Sequence, residues 1–271
     1  MKQARVSSPP VRAAVLPFAG ASVVITRPTA TAQTLKRRVR ALGGEPIALP
    51  GLALRGAADP AAAKAALRAA RDVDVVVFAS PAAVTYAFAL QPRLRFSRGT
   101  CVCALGAATA RALARRGIGE VLWPRARQDS EGLLALPALR RVRGRRIALI
   151  GAPGGRELLA PALRRRGARV ESIHVYRRVA PRHGRRQLEA LAQAPAPLVT
   201  LLSSAEALAH LRAHLPLPLY ARLAAGELVV SSLRLAAAAR ASLFANVHIA
   251  ASPAPADLVR AACGALARHR L

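Results

Sequence analysis

The stretch VVVFASPAAVTYAF, residues 75–88, runs from four apolar residues through Ser80 directly into a helical pattern. The same junction returns in LVTLLSSAEALAHL (198–211) and in ELVVSSLRLAAAA (227–239). Fully apolar short runs are typical of strands that are covered on both faces, and their alternation with amphipathic helices indicates parallel sheets. The sequence therefore predicts an α/β protein with mainly parallel sheets.

Two extended segments, 45–56 and 172–184, interrupt this alternation with Pro, Gly and basic residues. If they pair, the chain leaves a first domain near residue 50 and returns to it near residue 180. We therefore predict a disordered extension, a discontinuous domain 1, an inserted domain 2 and two connector strands, with the respective boundaries 1–20, 21–48 plus 180–271, 53–173, and 47–54 with 173–180. A continuous division near residue 140 is the alternative.

The charge points to an acidic partner. Lys and Arg number 42 against 13 Asp and Glu, which gives a formal net charge of +29. Such a charge favours nucleic acid, anionic lipid or a polyanionic small molecule, although arginine-rich composition alone also produces it. Aromatic residues make up only 3% of the chain, which argues against the stacking surfaces of single-strand binders. No apolar run approaches the roughly 20 residues of a membrane helix.

The cysteines and histidines give no sign of a metal site. Three cysteines, an odd and sparse set, favour a reducing compartment such as the cytoplasm. Cys101 and Cys103 are interpreted as small core residues on one face of a strand. His210 and His214 stand one helical turn apart but lack the Glu of a metalloprotease motif, so a solvated face is expected. No Ser-His-Asp or Cys-His set stands out.

The serines have two compatible interpretations. Serine is a favoured N-cap, which predicts that Ser80, Ser204 and Ser232 begin helices. Helix starts at the carboxyl edge of a parallel sheet also bind anions, so several caps facing one cleft could hold carboxylates or phosphates. The same edge would carry Thr26, Gly106 and the turn GAPGGR at 151–156. That turn lacks the Gly-Lys-Ser/Thr ending of a nucleotide loop.

Seven segments in this order resemble the bacterial type of the uroporphyrinogen-III synthase family, over residues 21–262: VVITRP, VVVFASPAAV, CALGAATARAL, DSEGLLALPAL, RRIALIGAPGGRELLAPALRRRGARVESIHVYRR, LLSSAEAL and VVSSLRLAAAA. The resemblance implies two α/β domains joined by a two-strand ladder. It implies that hydroxymethylbilane, a linear tetrapyrrole with eight carboxylates, binds in the cleft and is cyclised to uroporphyrinogen III with ring D inverted. It also implies a cytoplasmic monomer that uses no cofactor and no metal.

The resemblance further implies residue roles. Tyr176 matches a tyrosine proposed to assist departure of the substrate hydroxyl, and a phenol, with an ordinary pKa of about 10, can donate a proton at neutral pH; packing in the connector is the alternative. Gly151 departs from the arginine of many bacterial relatives. Other candidate functions are a non-catalytic module that binds a polyanion and a basic nucleic-acid binder. The implied substrate-binding residues are Thr26, Arg27, Ser80, Ser203, Ser204 and Ser231.

Overall fold

The computed structural model describes residues 16–154 and 158–269 and divides the chain into two compact units. Unit 1 comprises residues up to Ala53 and from Ala180 onwards, and unit 2 comprises Leu54–Val179. The predicted α/β class is confirmed, since strands and helices alternate and the main sheet of each unit is parallel. No helix in the described residues is long and apolar enough to cross a membrane.

The elements follow one another along the chain as β1 (Ser22–Ile25), α1 (Thr29–Ala41), β2 (Glu45–Ala48), β3 (Ala53–Gly56), α2 (Pro60–Ala69), β4 (Val75–Phe78), α3 (Pro81–Leu90), β5 (Cys101–Ala104), α4 (Ala107–Ala114), α5 (Ser130–Leu134), α6 (Pro137–Arg140), β6 (Arg146–Gly151), α7 (Leu159–Arg165), β7 (Arg169–His174), β8 (Tyr176–Val179), α8 (Arg185–Ala192), β9 (Leu198–Leu202), α9 (Ala205–His214), α10 (Leu217–Ala225), β10 (Glu227–Val230), α11 (Leu233–Arg240), β11 (Asn246–Ile249) and α12 (Pro255–His269). A short 3₁₀ turn, Ala70–Asp72, follows α2.

Unit 1 holds a five-stranded parallel sheet in the order β11-β10-β9-β1-β2. Every residue of β1, β9 and β10 is buried, as expected of strands covered on both faces. On one face, Val23 and Ile25 pack with Leu35 of α1 and with Leu258 and Ala262 of α12. The sheet grows from β1 to β2 in one direction and from β9 to β11 in the other. The direction of winding therefore reverses between β1 and β9.

Unit 2 repeats this plan with four parallel strands in the order β5-β4-β6-β7, so its winding reverses between β4 and β6. Alternate residues of β4 face opposite layers. Val76 and Phe78 pack with α2, α3 and α4, whereas Val75 and Val77 pack with α5, α6 and α7. In doubly wound sheets the point of reversal, at the carboxyl ends of the strands, is where ligands bind.

The two strands that pair where the chain passes from one unit to the other differ in their bounds from the predicted connector. A separate two-stranded sheet is formed by β3 and β8, at residues 53–56 and 176–179. Residues 45–48 instead form β2 of the five-stranded sheet, because Pro46 and Ile47 pair with Val23 and Val24. The first connector strand therefore begins later than the predicted 47–54.

One residue within the predicted N-terminal extension belongs to the core. Phe18 is fully buried in the core of unit 1, and its backbone N–H donates to the Leu42 carbonyl at 2.9 Å. Phe18 lies only four positions before β1, within the predicted extension 1–20. Residues 1–15, the rest of the predicted extension, lie outside the described residues.

Candidate active site

Three serines cap helices at the carboxyl edges of the sheets, as predicted. The Ser80 side chain accepts from the Ala83 N–H at 3.0 Å and begins α3. Ser204 and Ser232 begin α9 and α11 in the same way, each with an acceptor distance of 3.3 Å. Each serine follows a buried strand within two residues. The capping interaction therefore fixes both the start of the helix and the position of the hydroxyl at the edge of the sheet.

Strand register aligns three polar side chains in unit 1. Ile25 pairs with Leu201, and Val230 pairs with Leu202. Continuing the register past the strand ends brings Arg27, Ser203 and Ser231 to neighbouring positions on adjacent chains. The hydroxyls of Ser203 and Ser231 make no hydrogen bond within the described part of the chain, so both remain available to a ligand.

The Arg27 guanidinium at this edge has only part of its hydrogen-bonding capacity satisfied. Its Nη2 donates to the Pro253 carbonyl, which follows β11. Its Nε is buried and has no hydrogen-bond partner within the described residues. Burial lowers the pKa of the Arg27 guanidinium, because removal from water disfavours the charged form. A carboxylate would satisfy the buried donor and offset this loss of hydration.

Thr26 does not fit the role implied for it. Its side chain is 2% exposed, and its hydroxyl donates to the Leu201 carbonyl at 2.8 Å. The only proton of this hydroxyl is therefore engaged within the protein, and it is not available to a substrate carboxylate. The bond ties the end of β1 to β9, at the point where the winding reverses. Thr26 thus orients the neighbouring Arg27 through the backbone.

In unit 2 Tyr176, the predicted catalytic residue, contacts Ser80, a predicted substrate-binding residue. The Tyr176 hydroxyl lies 3.2 Å from Ser80 Oγ, although the two residues are 96 positions apart. The Tyr176 ring stacks on Tyr86 of α3, with the ring centroids 5.4 Å apart and an interplanar angle of 17°. Tyr176 is 7% exposed and borders a cavity of about 330 Å³, which Pro153, His174 and Arg177 also line.

Two further positions predicted at the carboxyl edge lie in unit 2, namely Gly106 and the turn at 151–156. The start of α4 at Gly106 is covered, because the Ala107 N–H donates to Gln128 Oε1 at 2.9 Å. Of the turn at 151–156, residues 155 and 156 lie outside the described part. Gly151 and Gly154 border a cavity of about 160 Å³ together with Ala79 and His174.

The predicted absence of metal chemistry rests on the sequence, and the structure adds a different role for one histidine. His210 Nδ1 lies 3.1 Å from the Gly51 carbonyl, so this ring holds the loop after β2 and does not belong to a purely solvated face. Within residues 16–154 and 158–269, His, Cys, Asp and Glu form no group of three that could hold a metal ion.

A larger cavity, of about 770 Å³, lies at the opposite edge of the unit 1 sheet. It is lined by Leu198 and Glu227, the first residues of their strands, with Pro197, Arg222 and Leu266. Ligands of doubly wound sheets bind at the carboxyl ends of strands, so we assign the site by the donors at that end and not by cavity size.

Comparison with known proteins identifies the family of this chain. The family model described as uroporphyrinogen-III synthase HemD matches residues 33–260. This chain belongs to the uroporphyrinogen-III synthase family. It is 32% identical over 161 residues to a uroporphyrinogen-III synthase of Salmonella typhimurium and 33% identical over 167 residues to that of Escherichia coli. Each of these matches spans 59% of this chain and 65% of the relative.

Solved structures of the family share the fold. A mutant uroporphyrinogen-III synthase from Thermus thermophilus aligns over 92% of this chain and 99% of its own, with 21% identity and a TM-score of 0.58. The Helicobacter pylori enzyme aligns over 93% and 100%, with 12% identity and a TM-score of 0.57. At such identities the likeness concerns the fold, which is the mixed α/β architecture predicted from the sequence.

Sequence reasoning missed Tyr86, although a signal was available. The chain has three tyrosines, and Tyr86 lies six residues after Ser80 in the opening stretch. In a sequence with 3% aromatics, a tyrosine on the helix that a candidate binding residue begins is itself a candidate for the site. In the structure the Tyr86 ring stacks on Tyr176, and this contact fixes the plane of the Tyr176 ring.

The paired cysteines are not both core residues. Cys103 is buried, but Cys101 is only half-buried, and their Sγ atoms are 3.8 Å apart. A hydrogen bond from Cys103 lowers the pKa of Cys101 to about 7, against the opposing effect of burial and with help from the nearby Arg145 charge. The same contact, together with burial, raises the pKa of Cys103.

We expect Cys101 to be alkylated by iodoacetamide with a midpoint near pH 7, because the thiolate is the reactive form. Cys263, whose pKa is raised mainly by burial, should react only at higher pH and serves as an internal control. Peptide mass spectrometry after short labelling across pH measures both. The Cys103→Ala variant should shift the Cys101 midpoint upwards, and an unchanged midpoint would contradict the proposed cause.

Proposed function

We propose that this chain is a uroporphyrinogen-III synthase, which cyclises hydroxymethylbilane to uroporphyrinogen III with inversion of ring D. The observation that carries the proposal is the hydrogen-bonded Ser80–Tyr176 pair at the point of reversal in unit 2. It places a phenol within hydrogen-bond distance of a second hydroxyl, at an edge where doubly wound sheets bind ligands, in a chain of this family.

The substrate carries eight carboxylates, and the donors described above suit them. We assign carboxylate binding in unit 1 to Arg27, Ser203 and Ser231, with Ser204 contributing the hydroxyl proton that its capping bond leaves unused. The start of α1 adds backbone N–H groups, since Pro28 offers no side-chain cap there. In unit 2 the Ser80 hydroxyl contacts the substrate beside Tyr176. The formal net charge of +29 also attracts such a polyanion over longer distances.

The chemistry demands little acid–base strength from the protein. A pyrrole nitrogen of the substrate expels the terminal hydroxyl, and the electrophilic azafulvene that results is attacked by a carbon of ring D. The spiro intermediate reopens and closes again with the ring inverted. Because spontaneous closure without inversion competes, the enzyme must choose between two cyclisations. A bias of about 3 kcal/mol gives a preference of roughly a hundredfold, and fixing the substrate conformation can supply it.

We further propose that the protein acts as a cytoplasmic monomer, without a cofactor, a metal ion or a nucleic-acid partner. The sparse cysteines suit a reducing compartment, and the few aromatic residues provide little surface for base stacking. A module that merely holds a polyanion would need the same binding residues. The presence of Tyr176 beside Ser80 favours turnover over simple binding, because carboxylate binding alone does not require a buried phenol.

Purified protein should convert hydroxymethylbilane to isomer III in the presence of a chelator and without added nucleotide. Separation of the isomers by chromatography after oxidation measures the ratio of isomer III to isomer I. A reaction without protein provides the spontaneous rate and yields isomer I. If the protein gives only isomer I at that rate, the proposed activity is wrong; saturable binding of the substrate in the same sample would then favour the binding module.

A further inference from the structure

The hydrogen bond between Tyr176 and Ser80 has a preferred direction. Ser80 Oγ already accepts from the Ala83 N–H at 3.0 Å, which occupies one lone pair. If Ser80 donated to the tyrosine, the Tyr176 proton would need another acceptor, and within the described residues the Tyr176 hydroxyl has none besides Ser80. Tyr176 is 7% exposed, so an unpaired hydroxyl proton there would be unfavourable. This balance favours donation from the phenol to Ser80 Oγ.

This direction leaves the Ser80 proton free. With both lone pairs of Oγ occupied, the hydroxyl proton points away from Tyr176 and from the start of α3. Ser80 is half-buried, whereas Tyr176 is buried, so the more accessible proton of the pair belongs to the serine. The stacked Tyr86 ring restricts rotation of the tyrosine and keeps its hydroxyl aimed at Ser80.

From this geometry we propose that Ser80 delivers the proton to the departing hydroxyl and that Tyr176 replaces it, in a two-residue relay. The inference rests on the proposed function. The carbon–oxygen bond of the hydroxymethyl group breaks with its electron pair on oxygen, which takes the Ser80 proton and leaves as water. Ser80 takes the Tyr176 proton in the same step. The tyrosinate regains a proton through Ser80 when the closing ring loses its own, so the net change is loss of one water.

The relay is tested with Ser80→Gly, Tyr176→Phe and the double variant. Glycine is the matched replacement at Ser80, because it is itself a favoured N-cap residue and removes the hydroxyl with little loss of helix stability. General acid catalysis contributes roughly 10²–10⁴-fold, and the substrate's own reactivity places this case at the lower end. Each single variant should lower kcat by about a hundredfold with little change in KM, and the double variant should be no slower than Ser80→Gly alone.

Ser80→Thr keeps a hydroxyl at the same position and should recover most of kcat. Three results would overturn the relay: a Ser80→Gly enzyme that changes only in KM, losses of the two single variants that multiply in the double variant, or no recovery by threonine in a protein with unaltered melting temperature. These outcomes are distinct from failure of the proposed function, which would appear as wild-type protein that forms no isomer III.

Discussion

Phe78→Ala should lower the free energy of unfolding of unit 2 by about 3–5 kcal/mol, the loss typical of a large aromatic removed from a core. Phe78 is fully buried at the end of β4 and meets the Phe96 ring edge-on, with the centroids 6.1 Å apart. The single tryptophan, Trp123, packs against the same core cluster. Its fluorescence therefore reports on unfolding of this core in a urea titration.

Leu158→Ala provides the control in the same unit, because that side chain is 63% exposed and its truncation should change the unfolding free energy by less than about 0.5 kcal/mol. Phe78 lies two residues before Ser80, so the variant should also lose activity at temperatures where the core has loosened. A loss in the Phe78→Ala variant similar to that of the control would mean that the β4 layer repacks without a cavity.

The fold was predictable because its signals are local and repeated. The four residues of β4 are all apolar, as are four of the five residues of β9, and such strands are buried on both faces only within a covered parallel sheet. A serine two residues after each strand begins a helix. The order of the strands was not readable in this way. It depends on which strand lies beside β1, and the pairing of Ile25 with Leu201 joins residues 176 positions apart.

The candidate site was predicted by residue type and position but not by contact. Thr26 shows the limit, since a polar residue at a strand end looks like a ligand until its hydroxyl is found bonded to the Leu201 carbonyl. Tyr86 shows the reverse, because a tyrosine within a helix pattern looks like core until its ring is found on Tyr176. Both cases depend on side-chain directions across elements far apart in sequence, which no local pattern encodes.

Arg27→Met should raise KM for hydroxymethylbilane by roughly ten- to hundredfold, because a hydrogen bond to a charged group contributes about 1.5–3 kcal/mol. The same change should leave the melting temperature unchanged or higher. In the free protein the buried Arg27 Nε lacks a partner within the described residues, and burial lowers the pKa of the guanidinium, so the charge is held at the expense of stability. Removing it loses the bond to the Pro253 carbonyl but relieves the unpaired donor.

Arg37→Met is the matched control for Arg27→Met. Arg37 lies exposed on α1, so its replacement alters the net charge equally without touching the carboxyl edge of the sheet. Steady-state kinetics and melting curves on the two variants separate a local contact from general attraction by +29 charges. Equal rises in KM would assign the effect to the overall field. A rise in KM confined to Arg27→Met, without loss of stability, would show that Arg27 serves substrate binding and not the fold. Binding residues of this kind lower stability in the free protein, because function and stability make different demands on the same side chain.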